Sequence, residues 1–145
     1  MRRTLGTLLL LPALLLGCGE EESSPEPEAA LDYDVLAIVS ETAAGGTVSS
    51  TLTPLPGPDE LTAFVEQFDN GGFSDEVTTA VQRHEPREGY VVSAAVIAIG
   101  CDVPPGVSVA DAEEGYAVRA SKVTDPLKEC LAPVTSVAVV EVPEG

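Results

Sequence analysis

Three cysteines and a single histidine carry most of the chemistry open to this chain. Cys18, Cys101 and Cys130 could each act as a nucleophile, a metal ligand or half of a disulfide. No two of them have the Cys-x-x-Cys spacing of a redox or zinc pair. His84 stands beside Glu85 and near Asp69, Asp75 and Glu88 in sequence. An imidazole oriented by a carboxylate is a common general base, so these residues are the candidates for a small hydrolase. Pro86 follows at once and excludes the His-Glu-x-x-His helix of zinc peptidases. A lone histidine at a helix end more often meets the terminal carbonyls than a substrate. Gly72-Phe73-Ser74-Asp75-Glu76 lacks the second glycine of a nucleophile elbow, and Ser74 is expected to cap a helix instead.

Carboxylates gather at Asp69, Asp75 and Glu76 and again at Asp111, Glu113 and Glu114. Calcium favours such oxygen ligands, but neither cluster has the spacing of an EF-hand loop, and both read as solvated loop charge. No phosphate-binding glycine loop, dinucleotide fingerprint or internal repeat is present. The expectation is therefore no metal and no cofactor.

The formal charge of -17 bears on the partners. Nucleic acid is excluded as a partner, because phosphate backbones need clustered Lys and Arg that displace counterions. Here Arg83, Arg87, Arg119, Lys122 and Lys128 lie scattered among 24 acidic residues. The same charge keeps a surface protein soluble.

Residues 1–17 combine Arg2 and Arg3, an apolar run over residues 5–16 interrupted by Pro12, and Gly17 ahead of Cys18. Such a run can engage an export machinery but falls short of the roughly 20 residues that cross a bilayer. Leu15-Leu16-Gly17-Cys18 resembles the lipobox of bacterial lipoprotein signal peptides, with Leu16 bulkier than the small residue favoured at its place. The resemblance covers the leader alone. It implies that the Cys18 thiol takes a diacylglyceryl group, that cleavage removes residues 1–17, and that the chain is exported and held on the outer face of a membrane. Residues 18–30 then form a tether, with five glutamates and two prolines and no large apolar side chain after Cys18. If Cys18 carries lipid, Cys101 and Cys130 are left to pair in an oxidising compartment.

Residues 31–145 must hold the single globular domain that positions these groups. Residues 32–42 alternate as a strand, and Ala43-Ala44-Gly45-Gly46 would turn the chain into a second strand over residues 47–55, forming a hairpin. Leu61, Phe64, Val65 and Phe68 recur at helical spacing, with Gly71-Gly72 expected to stop that helix. Val77, Ala80, Val81 and His84 predict a second, short helix. The unbroken apolar run of residues 90–99 predicts a central strand covered on both faces, ending near Cys101. Residues 115–123 and 135–142 read as two more strands. The order ββααβββ predicts an α+β fold, a mainly antiparallel sheet with one or two helices on one face and one disulfide; a β-sandwich with a helical insert is the alternative.

Two functions are expected from different classes. The first is a lipid-anchored, non-catalytic binding or accessory module whose partner is an envelope protein or an extracellular ligand. The second is a small cell-envelope hydrolase that uses His84 with its neighbouring carboxylates. An anchored peptidase inhibitor offering the turn Pro104-Pro105-Gly106 is a third idea without a residue pattern behind it.

Overall fold

A computed structural model describes residues 30–145; Cys18 and the tether before Ala30 lie outside them. The elements are β1 (Asp34–Thr42), β2 (Thr53–Pro54), α1 (Pro58–Val65), α2 (Gly71–Gln82), β3 (Tyr90–Gly100), β4 (Val107–Asp111), β5 (Tyr116–Ala120) and β6 (Val134–Pro143). The expected α+β architecture is present, with one strand more than the sequence suggests: β4 spans only five residues and follows directly on the turn at Pro104-Pro105-Gly106.

A four-stranded antiparallel sheet runs β1-β6-β3-β2, and β4 and β5 form a separate antiparallel hairpin. The two inner strands owe their place to composition. Val137 and Val139 of β6 face the helices while Ala138, Val140 and Val142 face the hairpin, so alternate residues of one strand serve two cores. In β3, Val92, Ala94 and Val96 face the helices, and Ala95 and Ile97 turn the other way. A strand apolar on both faces has to be covered on both, as expected for residues 90–99.

The helical layer supplies the larger side chains. Leu61 and Phe64 of α1 and Phe73, Val77, Ala80 and Val81 of α2 are buried. Phe68 and Phe73 meet edge to face, with ring centroids 4.8 Å apart.

Three local expectations are corrected. Gly71-Gly72 opens α2 rather than stopping α1, because Asn70 caps the new helix: its Oδ1 accepts from Gly72 N–H at 3.0 Å and Phe73 N–H at 3.3 Å. Ser74 therefore does not cap α2, and its hydroxyl donates instead to the carbonyl of Val65 at the end of α1, at 3.2 Å. The hairpin expected between residues 32–42 and 47–55 does not form either. β1 pairs with β6, Asp34 opposite Glu141 and Thr42 opposite Val134. The segment after Gly46 crosses to the other edge, where Ser49 N–H donates to Val96 O and Leu55 N–H to Val92 O. At Gly46, φ is +95° and an added Cβ would lie 2.9 Å from Phe68 Cε1, so glycine serves passage past an aromatic ring rather than a two-residue turn.

Candidate functional site

His84 follows the C-terminal end of α2, its N–H donating to the Val81 carbonyl at 3.2 Å. The side chain is half-buried and lines a cleft of about 320 Å³ with Leu55, Leu61, Tyr90 and Glu144. Among the described residues every ion pair is made by Arg87, so no carboxylate oxygen lies within 4.0 Å of the imidazole. Asp75 lines a different cleft, with Glu76 and Arg83. Glu85, Glu88 and Asp69 are exposed. The structure does not bring the carboxylates named from sequence onto His84; the one that shares its cleft is Glu144.

The densest polar cluster is one that sequence reasoning missed. Arg87, in the loop between α2 and β3, reaches three carboxylates. Its Nη1 lies 3.3 Å from Asp32 Oδ2, its Nη2 lies 3.3 Å from Asp34 Oδ2, and its Nε donates to Glu141 Oε1. The Arg87 backbone N–H also donates to Glu141 Oε2 at 2.9 Å. The guanidinium carbon sits 3.9 Å from the centre of the Tyr90 ring, and the Tyr90 hydroxyl donates to Asp32 Oδ2 at 2.6 Å. The arginine bonds hold the buried Glu141 carboxyl below its ordinary range. The Tyr90 hydroxyl, more than the arginine, does the same for Asp32. The cluster fastens the residues at the start of β1 to β6 and to the loop before β3. It has the form of a structural clasp: the cation is already saturated with carboxylates.

Cys101 and Cys130 are bonded, with Cα atoms 5.3 Å apart, as expected. The bond joins the end of β3 to the segment between β5 and β6. That segment is exposed from Thr124 to Leu131. Four of the six large apolar side chains left exposed among the described residues belong to it or to the strand end it is tied to: Leu131, fully exposed, Leu127 at 61%, Val103 at 47% and Ile99 at 39%. Both lysines of the chain, Lys122 and Lys128, stand in the same segment. Asp102, next to the disulfide, accepts from the Leu127 N–H with both oxygens at 3.1 Å. The lysines were visible in sequence; the exposure and the second brace were not.

The turn Pro104-Pro105-Gly106 is not presented in that way, since Pro104 is buried and the Gly106 carbonyl accepts from Ser121 N–H at 2.8 Å. Among the described residues no three of the His, Cys, Asp and Glu side chains are grouped so as to hold a metal ion, and no helix is long and apolar enough to cross a membrane. Cys18, expected as the lipid site, lies outside the described residues. No protein-family model, curated protein or solved structure matches the chain.

Proposed function

We propose that this chain is an exported lipoprotein, held on the outer face of a membrane through acyl groups on Cys18, and that its domain is a non-catalytic binding module. The observation that carries the reading is the bond between Cys101 and Cys130. Disulfides persist in oxidising compartments, and this one uses both sulfurs of the domain, leaving Cys18 for the modification its lipobox implies. The binding role is supported by Ile99, Val103, Leu127 and Leu131, apolar side chains left in solvent on the two segments that bond joins, since large apolar side chains kept exposed mark interaction surfaces.

Growth of the producing cells with radioactive fatty acid tests the anchor. The mature protein carries label, and Cys18→Ala abolishes both the label and the mass of the acyl groups. An unlabelled protein whose mass is unchanged by Cys18→Ala ends the lipoprotein reading.

A second reading, a hydrolase centred on His84, keeps one observation in its favour, the cleft that His84 shares with Glu144 and Tyr90. Ester hydrolysis by the purified protein that vanishes with His84→Gln would establish it; its absence would retire it.

A further inference from the structure

We infer that the segment over residues 126–131 is a substrate-like loop that occupies the cleft of an extracytoplasmic endopeptidase with an acidic primary pocket, and that it acts as an inhibitor with Lys128 as the residue read. The inference deepens the binding role proposed above by naming its partner class.

Three observations converge on this loop. Exposure is continuous: every residue from Thr124 to Leu131 faces solvent and none belongs to a helix or strand, so the backbone is open to a partner, with a bend at Lys128 that presents its side chain. Charge is complementary at one side chain: Lys128, exposed between Asp125 and Glu129 in a chain of net charge -17, is the loop's only cation and suits a pocket floored by a carboxylate, while Leu127 and Leu131 on either side offer apolar contact.

The loop is also braced on both sides of Lys128 from one strand end. Asp102 grips the Leu127 N–H, and Cys130 is bonded to Cys101. Preorganisation of this kind removes ordering cost from binding.

The braces further explain why such a loop would resist turnover. When the peptidase hydroxyl adds to the Lys128 carbonyl carbon, the Lys128–Glu129 C–N bond breaks and the hydroxyl proton passes to the new Glu129 amine. That amine stays beside the acyl group, because Cys130 remains tied to Cys101. It can therefore re-form the peptide bond and release the hydroxyl sooner than water enters.

Topology adds placement. Asp34 lies opposite Glu141 at one end of the sheet, whereas Thr42 and Gly100 both lie opposite Val134 at the other. The braced loop is thus roughly 25 Å along β1 from Asp34, at the opposite end of the sheet from the chain's entry into β1.

The test uses the full chain in detergent with its disulfide intact, titrated against trypsin, with a chymotrypsin-type peptidase alongside. Trypsin is inhibited and the chain is recovered uncleaved. Lys128→Ala weakens inhibition by about 100-fold, and Lys122→Ala stays within about twofold of the parent. Lys128→Leu moves inhibition to the chymotrypsin-type enzyme. Reduction and alkylation turn the same loop into a substrate cut after Lys128.

Prompt cleavage of the oxidised chain, no inhibition of trypsin, or inhibition indifferent to Lys128→Ala would each overturn the proposal. So would self-association or vesicle binding that Leu127→Ser with Leu131→Ser abolishes in a chain that inhibits nothing. Because the assay runs in solution, inhibition without fatty-acid label would remove the anchor and leave the inhibitor standing.

Discussion

Arg87 and Glu141, 54 positions apart in sequence, meet twice: the backbone N–H of Arg87 donates to Glu141 Oε2 at 2.9 Å, and its Nε donates to Oε1. Glu141 is buried, so its charge depends on those donors. Arg87→Ala leaves a buried carboxylate without its cation and releases the Asp32 and Asp34 carboxylates from the guanidinium, while the backbone pairing of Asp34 with Glu141 remains. The expected outcome is a fall in Tm on the order of 5–10 °C, read by circular dichroism at neutral pH. Arg87→Lys recovers only part of it, because a lysine cannot address three carboxylates with a planar fork.

The same clasp sets a pH window. Bonds from Arg87 hold Glu141 below its ordinary 4.5, and the Tyr90 hydroxyl holds Asp32 below its ordinary 3.8. A carboxyl depressed by folding stabilises fully above its unfolded value and loses that contribution as pH falls through the folded one. Tyr90 is raised above 10.0, chiefly by donating to Asp32, so its contribution is complete below that value and is lost as pH rises past it. Tm is therefore expected to hold through the neutral range and to fall at both extremes. The deficit of Glu141→Gln should narrow as the solution is acidified below the ordinary 4.5 and through the lowered value of the folded state, and Tyr90→Phe should blunt the alkaline fall.

The disulfide closes a loop between residues 29 positions apart. Cys101→Ala with Cys130→Ala restores loop entropy to the unfolded chain and costs about 3–4 kcal/mol in urea denaturation. The sheet itself survives, since β3 and β6 pair from Tyr90 opposite Pro143 to Gly100 opposite Val134 without help from either sulfur. Far-UV circular dichroism unchanged in water, with a lower urea midpoint, is the expected result.

What could be read from sequence was local or compositional. The apolar run of residues 90–99 announces a strand covered twice, and Leu61 and Phe64 announce a helix, because both patterns are complete within a few residues. The hairpin expected after β1 failed for the opposite reason. Gly45-Gly46 satisfies a turn rule locally, but β1 gains more by burying Val39 against Val137 of β6, nearly a hundred residues on. Arg87 was illegible for the same cause, with every carboxylate it meets more than fifty residues distant. Of the braced loop, Cys101, Cys130 and the lysines were visible; the grip of Asp102 on a backbone N–H and the exposure of Leu131 belong to three dimensions.

Asn70 is the only asparagine in the chain, and it starts a helix whose first two residues are both glycine. Two glycines at a helix start contribute little of their own, so the cap carries the initiation. Asn70→Ala is expected to cost about 1 kcal/mol in urea denaturation. Asn70→Asp keeps the acceptor and adds a negative charge at the positive end of the helix, so it should match or slightly exceed the parent.

Ser93 and Thr135 are both buried hydroxyl residues of the sheet, with opposite consequences. Thr135 donates to the Gly45 carbonyl at 2.8 Å, which helps hold the crossing that replaces the expected hairpin. Thr135→Val keeps the shape and orphans that carbonyl, so a loss of about 1 kcal/mol is expected. Ser93 Oγ is fully buried and has no hydrogen-bond partner, on the hairpin side of β3 beside Leu52 and Val142. An unpaired buried hydroxyl has lost its hydration and gained nothing in return. Ser93→Ala is therefore expected to raise stability by about 1 kcal/mol, the reverse of the usual sign for a buried substitution. Paired urea titrations of the two variants decide the matter. A destabilised Ser93→Ala would mean that the hydroxyl finds a partner in solution, which would make this side of the sheet wetter than its apolar lining implies.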